Sequence, residues 1–217
     1  MKTLNQYIQE KLIINKDYRD TKIAEPKSFD ELRKIIEDRY EKLGEGTEQK
    51  PIDFNDIDVS NLDSFCGQYN KGLFEGTKFK YIDISDWDVS NVKSMYDMFF
   101  ACNKLKSVGD LSKWDVSSVT DMSHMFYGCK ELTSVGNISD WDVSKVNNMS
   151  YMFTFCKKFN QNISDWDVSS VTAMQFMFQN CKSFNQDISD WNVSKVMHKY
   201  RMFYNCPIKD KYKPKFK

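Results

Sequence analysis

The sequence predicts an α/β solenoid in which short parallel strands and short helices recur along the chain. Five tryptophans, spaced 27, 27, 25 and 25 residues apart, mark the repeats: Trp87, Trp114, Trp141, Trp166 and Trp191. A period in this range is typical of a repeat protein, in which each unit buries its apolar face against the next one. One degenerate repeat and five full repeats are predicted to occupy residues 51–206.

The apolar residues within a repeat indicate its two parts. One set is spaced by three, three, one and three residues, as on one face of a short helix or of successive tight turns: Val119, Met122, Met125, Phe126 and Cys129. The residues that follow, such as 138–143, are rich in β-branched and aromatic side chains. We expect them to form short strands that pair in parallel with the next repeat.

Both ends of the array have distinct sequences. Residues 1–24 contain a short amphipathic helix with Leu4, Ile8 and Leu12 on one face, followed by a linker. Residues 25–50 are predicted to form a helical N-terminal cap, because Ser28 and Glu31 have the spacing of a capping box before an apolar stripe. Residues 207–217 form a basic C-terminal tail.

The cysteines and tryptophans are predicted to be buried. Five cysteines each follow their tryptophan by fifteen residues, so they occupy one repeated position: Cys102, Cys129, Cys156, Cys181 and Cys206. We therefore interpret them as reduced, structural thiols inside the stack rather than as disulfides or metal ligands. The tryptophans would stack in the same way, since every full repeat retains one.

Composition disfavours several classes of partner. The chain has 31 basic and 31 acidic side chains, and this balance does not favour nucleic acid. No apolar run approaches the length of a membrane span, and the first residues lack the apolar core of a secretory signal. The sequence thus predicts a cytoplasmic or virion-associated location rather than secretion.

The repeated unit W-D-V-S-x-V-x-x-M-x-x-M-F-x-x-C-x-x-[LF] resembles the BspA-type leucine-rich repeat, and the resemblance covers residues 56–206. The family is abundant in bacterial surface proteins and also occurs in phage-encoded ones. The resemblance implies a curved, right-handed solenoid with one parallel strand per repeat, used for adhesion or other protein binding. It implies no catalytic residues.

Neither a metal site nor an active site is predicted. Aspartates flank the tryptophans, as at Asp140 and Asp142, and a calcium ladder is one interpretation. The other, which we favour, is that each carboxylate accepts hydrogen bonds within its own D-V-S turn. His124 and His198 are expected to be solvated. We expect a non-enzyme without cofactors or metals, because catalytic sites are singular and these motifs are repeated.

Binding residues should lie where the repeat is free to vary, and two surfaces qualify. The first is polar and follows the predicted strands: Lys104, Lys106, Glu131, Thr133, Lys158, Asn160, Asn162, Asn185 and Asp187. The second is aromatic, and its side chains either form an interface or tuck under neighbouring repeats: Tyr96, Phe100, Tyr127, Tyr151, Phe155, Phe176 and Tyr204. The predicted function is non-catalytic recognition of another protein. The alternative is a virion or envelope component that self-associates through its repeats.

Overall fold

The computed structural model describes residues 24–67 and 71–216. Within them lie one α-helix, α1 (Phe29–Leu43), two short strands, β1 (Ile52–Asp53) and β2 (Ile82–Asp83), and a 3₁₀ helix, Asp210–Tyr212. The two strands pair in parallel, with Ile52 opposite Ile82. The predicted amphipathic helix around Leu4, Ile8 and Leu12 lies outside the described residues.

Helix α1 begins and ends where the sequence predicts. The Ser28 hydroxyl accepts the Glu31 N–H at 3.2 Å, and the Glu31 carboxylate accepts the Lys27 N–H at 2.8 Å. These bonds satisfy amides that the first helical turn leaves free. The buried face of α1 contains Leu32 and Ile36, both fully buried.

Equivalent residues of successive repeats lie side by side. The indole rings of Trp114, Trp141, Trp166 and Trp191 stack with centroids 6.3 to 6.5 Å apart. Each of the five tryptophans donates its Nε1–H to a backbone carbonyl of the preceding repeat, at 2.7 to 3.2 Å. Their exposed fractions are only 3 to 5%, so the predicted burial of the tryptophans is confirmed. We keep the right-handed solenoid as the proposed architecture of this stack.

The repeats contain turns where the sequence analysis expects short helices. Alternate amides bond within the repeat, as when Met98 N–H donates to the Met95 carbonyl at 3.2 Å. The intervening amides bond to the next repeat, as when Phe99 N–H donates to the Met125 carbonyl at 2.9 Å. An α-helix would direct every amide to its own fourth preceding carbonyl. The described repeats therefore form the successive tight turns that the spacing also allows, because stacking takes half of these donors.

Parallel strand pairing between the repeats involves only one or two residues at a time. Besides β1 and β2, the described residues show isolated parallel bridges that join equivalent positions one repeat apart: Ser64, Ser94, Asp121, Asn148, Ala173 and His198. These bridges lie at the start of the turn segments. The segments after each cysteine, which the sequence predicts to be strands, have mostly irregular structure.

The basic tail folds against the last repeat. Ile208 and Pro214 are buried. The Tyr212 carbonyl accepts the Ile188 N–H at 3.0 Å, and the Lys209 N–H donates to Asn185 Oδ1 at 3.0 Å. The tail therefore covers part of the apolar end that the array would otherwise expose.

Candidate functional site

A polar groove lies across three successive repeats and contains part of the predicted strand surface. It is lined by Lys106, Glu131, Thr133 and Lys158, together with residues of the N-terminal part that include Tyr81. We call this set the strand-face groove. Its volume is about 450 Å³. The structure thus brings together four of the nine predicted polar residues.

Ion pairs order the charged side chains along this surface. Lys158 Nζ lies 2.6 Å from Glu131 Oε2, and the Glu45 carboxylate binds both Lys80, at 2.6 Å, and Lys104, at 2.9 Å. The hydrogen bonds from these two lysines lower the pKa of Glu45 to about 2. Such exposed pairs add little stability, since solvent screens them. Of these side chains, Glu131 and Lys158 line the groove, and their pair places charges of both signs there.

The remaining predicted residues of the strand surface form structural hydrogen bonds. Asn160 Oδ1 accepts the Asn185 N–H at 2.9 Å, which joins two repeats. Asn162 and Asp187 each accept the amide N–H two residues later, at 3.0 and 3.1 Å. Short polar side chains commonly stabilise turns in this way. These bonds order the backbone of the repeats, and the assignment of the four residues to recognition stays a prediction.

The predicted aromatic residues form a row along another side of the array. The row consists of Tyr96, Phe100, Tyr127, Tyr151, Phe155, Phe176 and Tyr204. Phe100 stacks on Tyr127 with ring centroids 4.7 Å apart, and Tyr151 stacks on Phe176 at 4.6 Å. All members except Tyr204 are half-buried. The rings therefore shield one another in part, and an interface along the row stays a prediction.

Large apolar side chains are more exposed on the last repeat than along the earlier part of the row. Met197, Tyr200 and Tyr204 have exposed fractions of 72, 60 and 54%. The analysis of the sequence missed Met197 and Tyr200. The signal that could have found them is Lys199, which replaces a methionine that is buried at the same position in the earlier repeats.

Asp97 and His124 form a buried polar pair beside the row, which the sequence analysis also missed. Burial, with the nearby Glu75 carboxylate, raises the pKa of Asp97 to about 7, and burial lowers the pKa of His124. The two groups lie 3.8 Å apart, too far for a hydrogen bond. The expectation that both histidines are solvated is wrong for His124, whose ring stacks on Tyr151 at 4.6 Å. His198 is exposed.

A buried carboxyl with a raised pKa is a common feature of active sites. Neither the strand-face groove nor the groove lined by Phe176, Met197 and Lys199 includes Asp97 or His124. We therefore place no site at this pair.

The aspartates of the D-V-S segments accept hydrogen bonds, as we favoured. Asp115, Asp142 and Asp167 each accept the N–H of the serine two residues later at 3.0 Å. Bonds from these serines lower the pKa of each carboxyl. Among residues 24–67 and 71–216, no group of three or more His, Cys, Asp or Glu side chains is placed to hold a metal ion.

The repeated thiols also act as donors inside the stack. Cys102, Cys156 and Cys181 point their Sγ atoms at carbonyls of the preceding repeat, 2.8 to 2.9 Å away. Burial raises the pKa of Cys102 to about 12. Since the thiolate is the reactive form, these thiols are poor nucleophiles and poor metal ligands at neutral pH.

Comparison with known protein families gives one result. The family model described as "Mycoplasma protein of unknown function, DUF285" matches residues 47–135 and again residues 132–212. The comparisons with curated proteins and with solved structures found no match. In the part of the chain that the structure describes, no helix is long and apolar enough to cross a membrane.

Proposed function

The chain belongs to the DUF285 family of Mycoplasma proteins, whose function is unknown, and from that premise we propose a non-catalytic module that recognises another protein. The strand-face groove is its recognition surface. The observation that carries the proposal is that side chains from three successive repeats, Lys106, Thr133 and Lys158, line one open groove.

The groove has the character of a polar protein interface. Lys106 and Thr133 are exposed, and the Lys106 ammonium lies 5.7 Å from the centre of the Tyr81 ring. Protein interfaces of moderate affinity combine hydrogen-bonding groups with charges of both signs around a small aromatic centre. The backbone beneath is held by hydrogen bonds between repeats, so binding would order few additional residues.

We also propose that the repeats of this chain are leucine-rich repeats of the BspA type. The W-D-V-S-x-V unit and its following Met, Phe and Cys positions support it, and the family matches cover the same residues. Adhesion and virion assembly are both uses that such a surface could serve. The groove favours recognition, because its polar side chains are exposed whereas most of the aromatic row is half-buried.

The test is capture of a partner by the immobilised chain from a lysate of its native host. We expect the wild type to retain a specific protein and the double variant Lys106→Ala, Thr133→Ala to lose it, since two exposed groups of the groove are removed. The matched control is Lys113→Ala with Lys145→Ala, two exposed lysines outside the groove, which should retain the partner. Melting temperatures should be unchanged in both.

Equal capture by both double variants would show that the groove is not the binding surface. If the wild type captured no protein, the proposal of a recognition module would itself be wrong.

A further inference from the structure

The turn segments are joined by a one-directional row of backbone hydrogen bonds. In the fourth full repeat the amides of Phe176, Phe178 and Asn180 donate to carbonyls of the last repeat at 2.9 to 3.0 Å. The same relation joins the earlier repeats, as for Tyr151 N–H and the Gln175 carbonyl at 3.0 Å. Each repeat therefore offers amides to the repeat after it and carbonyls to the repeat before it.

The last of the described repeats keeps this geometry, and residues 207–216 follow it as the tail rather than as a further turn segment. Met202 N–H still donates to the Lys199 carbonyl at 3.2 Å, and Tyr204 N–H to the Arg201 carbonyl at 3.1 Å. Arg201 and Asn205 keep the positive φ angles of 53° and 60° that occur at these positions in other repeats. Within the described part of the chain, no carbonyl accepts the amides of Arg201, Phe203 and Asn205.

The surroundings of these three amides are strongly basic. Residues 195–216 contain seven lysines and arginines and one acidic residue, Asp210, although the whole chain is neutral. The Asp210 carboxylate is bound by Lys213 at 2.7 Å. Successive amides in turns of alternating handedness attract anions, because their N–H dipoles point the same way. Charge and backbone geometry therefore favour the same kind of ligand, an anionic one.

Exposed apolar surface adjoins the amides. Tyr200 and Tyr204 flank the Arg201 guanidinium, which lies 5.0 and 5.1 Å from their ring centres. Met197 is the most exposed large apolar side chain of the described residues. A ligand that meets both the amides and these side chains must combine negative charge with apolar groups.

A second copy of the chain fits this edge poorly, because the opposite end of the array is closed. At that end Arg33 donates to the carbonyls of Gly72 and Leu73, and Arg39 donates to the Asp53 carbonyl at 2.5 Å. In head-to-tail stacking, the free amides of one copy would need carbonyls from the first repeat of the other copy. Side chains of α1 already bind carbonyls at that end. In tail-to-tail pairing, the basic side chains of one copy would face those of the other. The free amides of both copies would also face each other, and N–H groups cannot accept hydrogen bonds.

We propose that the edge formed by the amides of Arg201, Phe203 and Asn205, with the side chains of Met197 and Tyr200, binds an extended acidic segment of another protein. Alternate carbonyls of that segment take the places that carbonyls of a further repeat would occupy. A polypeptide fits better than a nucleic acid, since the turn amides of the four earlier full repeats donate to backbone carbonyls at two-residue intervals. This surface is separate from the strand-face groove and does not depend on its role.

The experiment measures amide hydrogen exchange of the full chain by NMR, with the peptide acetyl-(Glu-Val)₃-amide as the probe. We expect the saturating peptide to slow exchange at Arg201, Phe203 and Asn205 at least tenfold and to leave Phe176 and Phe178 unchanged. The variant Arg201→Gly should weaken peptide binding at least tenfold. It removes the charge and favours the existing positive φ, so it should fold.

The matched control is Lys157→Ala, which removes an exposed cation from an earlier repeat and should bind as the wild type does. Unchanged exchange at the three amides, or equal binding of acetyl-(Lys-Val)₃-amide, would overturn the proposal. Protection by an oligothymidylate without protection by the acidic peptide would point to nucleic acid instead. Protection that rises with protein concentration alone would point to self-association.

Discussion

Asp97 is the most unusual single residue of the described structure. It is only 7% exposed, and its Oδ1 and the facing His124 Nδ1 are both buried without a hydrogen-bond partner. Burial disfavours the charged form of each group, which raises the pKa of the acid and lowers that of the base. Both shifts disfavour an ion pair between the two groups, and the Asp97 carboxyl is largely protonated below about pH 7.

The pH dependence of stability follows from the pKa of Asp97. Because folding raises this pKa from 3.8 to about 7, the contribution of Asp97 to stability is greatest below pH 4 and is lost as the pH rises through 7. We expect Asp97→Asn to raise the free energy of unfolding at pH 8 by about 1–3 kcal/mol and to change it little at pH 4. Urea unfolding at both pH values measures the difference.

Asn also tolerates the positive φ of 55° at this position, so the backbone should not change. The exposed Asp140→Asn is the control and should show no such pH dependence. An effect of Asp97→Asn that was equal at pH 4 and pH 8 would contradict the raised pKa.

At the scale of the element, the turn segment is defined by residues with positive φ at two positions in each repeat. His124, Tyr151 and Phe176 occupy one of these positions with φ of 57° to 60°. Large side chains adopt this conformation at a cost of about 1–2 kcal/mol each. The stack offsets that cost, since each of these amides donates to the next repeat at 2.9 to 3.0 Å.

The second position allows a direct test of this backbone cost. Ala101 and Gly128 are equivalent, with φ of 58° and 74°, and each donates its N–H to the next repeat at 2.8 Å. We expect Ala101→Gly to stabilise the protein by about 0.5–1 kcal/mol and Gly128→Ala to destabilise it by about 1 kcal/mol. Chemical denaturation of the two variants measures both effects.

A Cβ added at Gly128 would meet the Ala101 Cα at an ordinary 3.4 Å, so sterics should not obscure the result. Ala173→Gly is the control, because Ala173 is not among the residues with positive φ. It should destabilise the protein. If all three substitutions changed the free energy of unfolding in the same direction, the positive φ would not be the cause of the effects.

At the scale of the whole molecule, the two ends differ in how they are closed. Helix α1 covers the first repeat with Leu32 and Ile36, and its Arg39 pairs with Asp56 at 2.6 Å. At the other end the tail buries Ile208 and Pro214 but leaves the amides of the last repeat without acceptors. A stack held by contacts between neighbours should therefore open from its ends.

Substitution of Ile36 should destabilise the N-terminal end of the stack more than the rest of it. We expect Ile36→Ala to cost about 2–4 kcal/mol, since it leaves a cavity beneath α1. Hydrogen exchange should rise mainly in residues 52–65 and little in residues 166–178. The exposed Lys34→Ala on the same helix is the control and should cost less than about 0.5 kcal/mol. A uniform rise in exchange along the chain would show a single cooperative unit instead.

The sequence alone determined the features that depend on local pattern or on strict repetition. The capping box of α1 needs only Ser28 and Glu31 and the amides beside them. The burial of the tryptophans and of the first four repeated cysteines follows from their recurrence at one position per repeat, because equivalent side chains of a stack share one environment. Cys206, in the last repeat, is only half-buried. The family match supports the same repeated segment.

Only the tertiary structure decided how backbone donors and polar side chains are used. The periodicity of Met122, Met125 and Phe126 suits a helix and successive turns equally well, and bonds to the next repeat select the turns. Asn160 and Lys106 both occupy variable positions, yet one joins two repeats and the other lines a groove. These outcomes depend on partners about 25 residues away along the chain, and no local pattern specifies which of them a side chain meets.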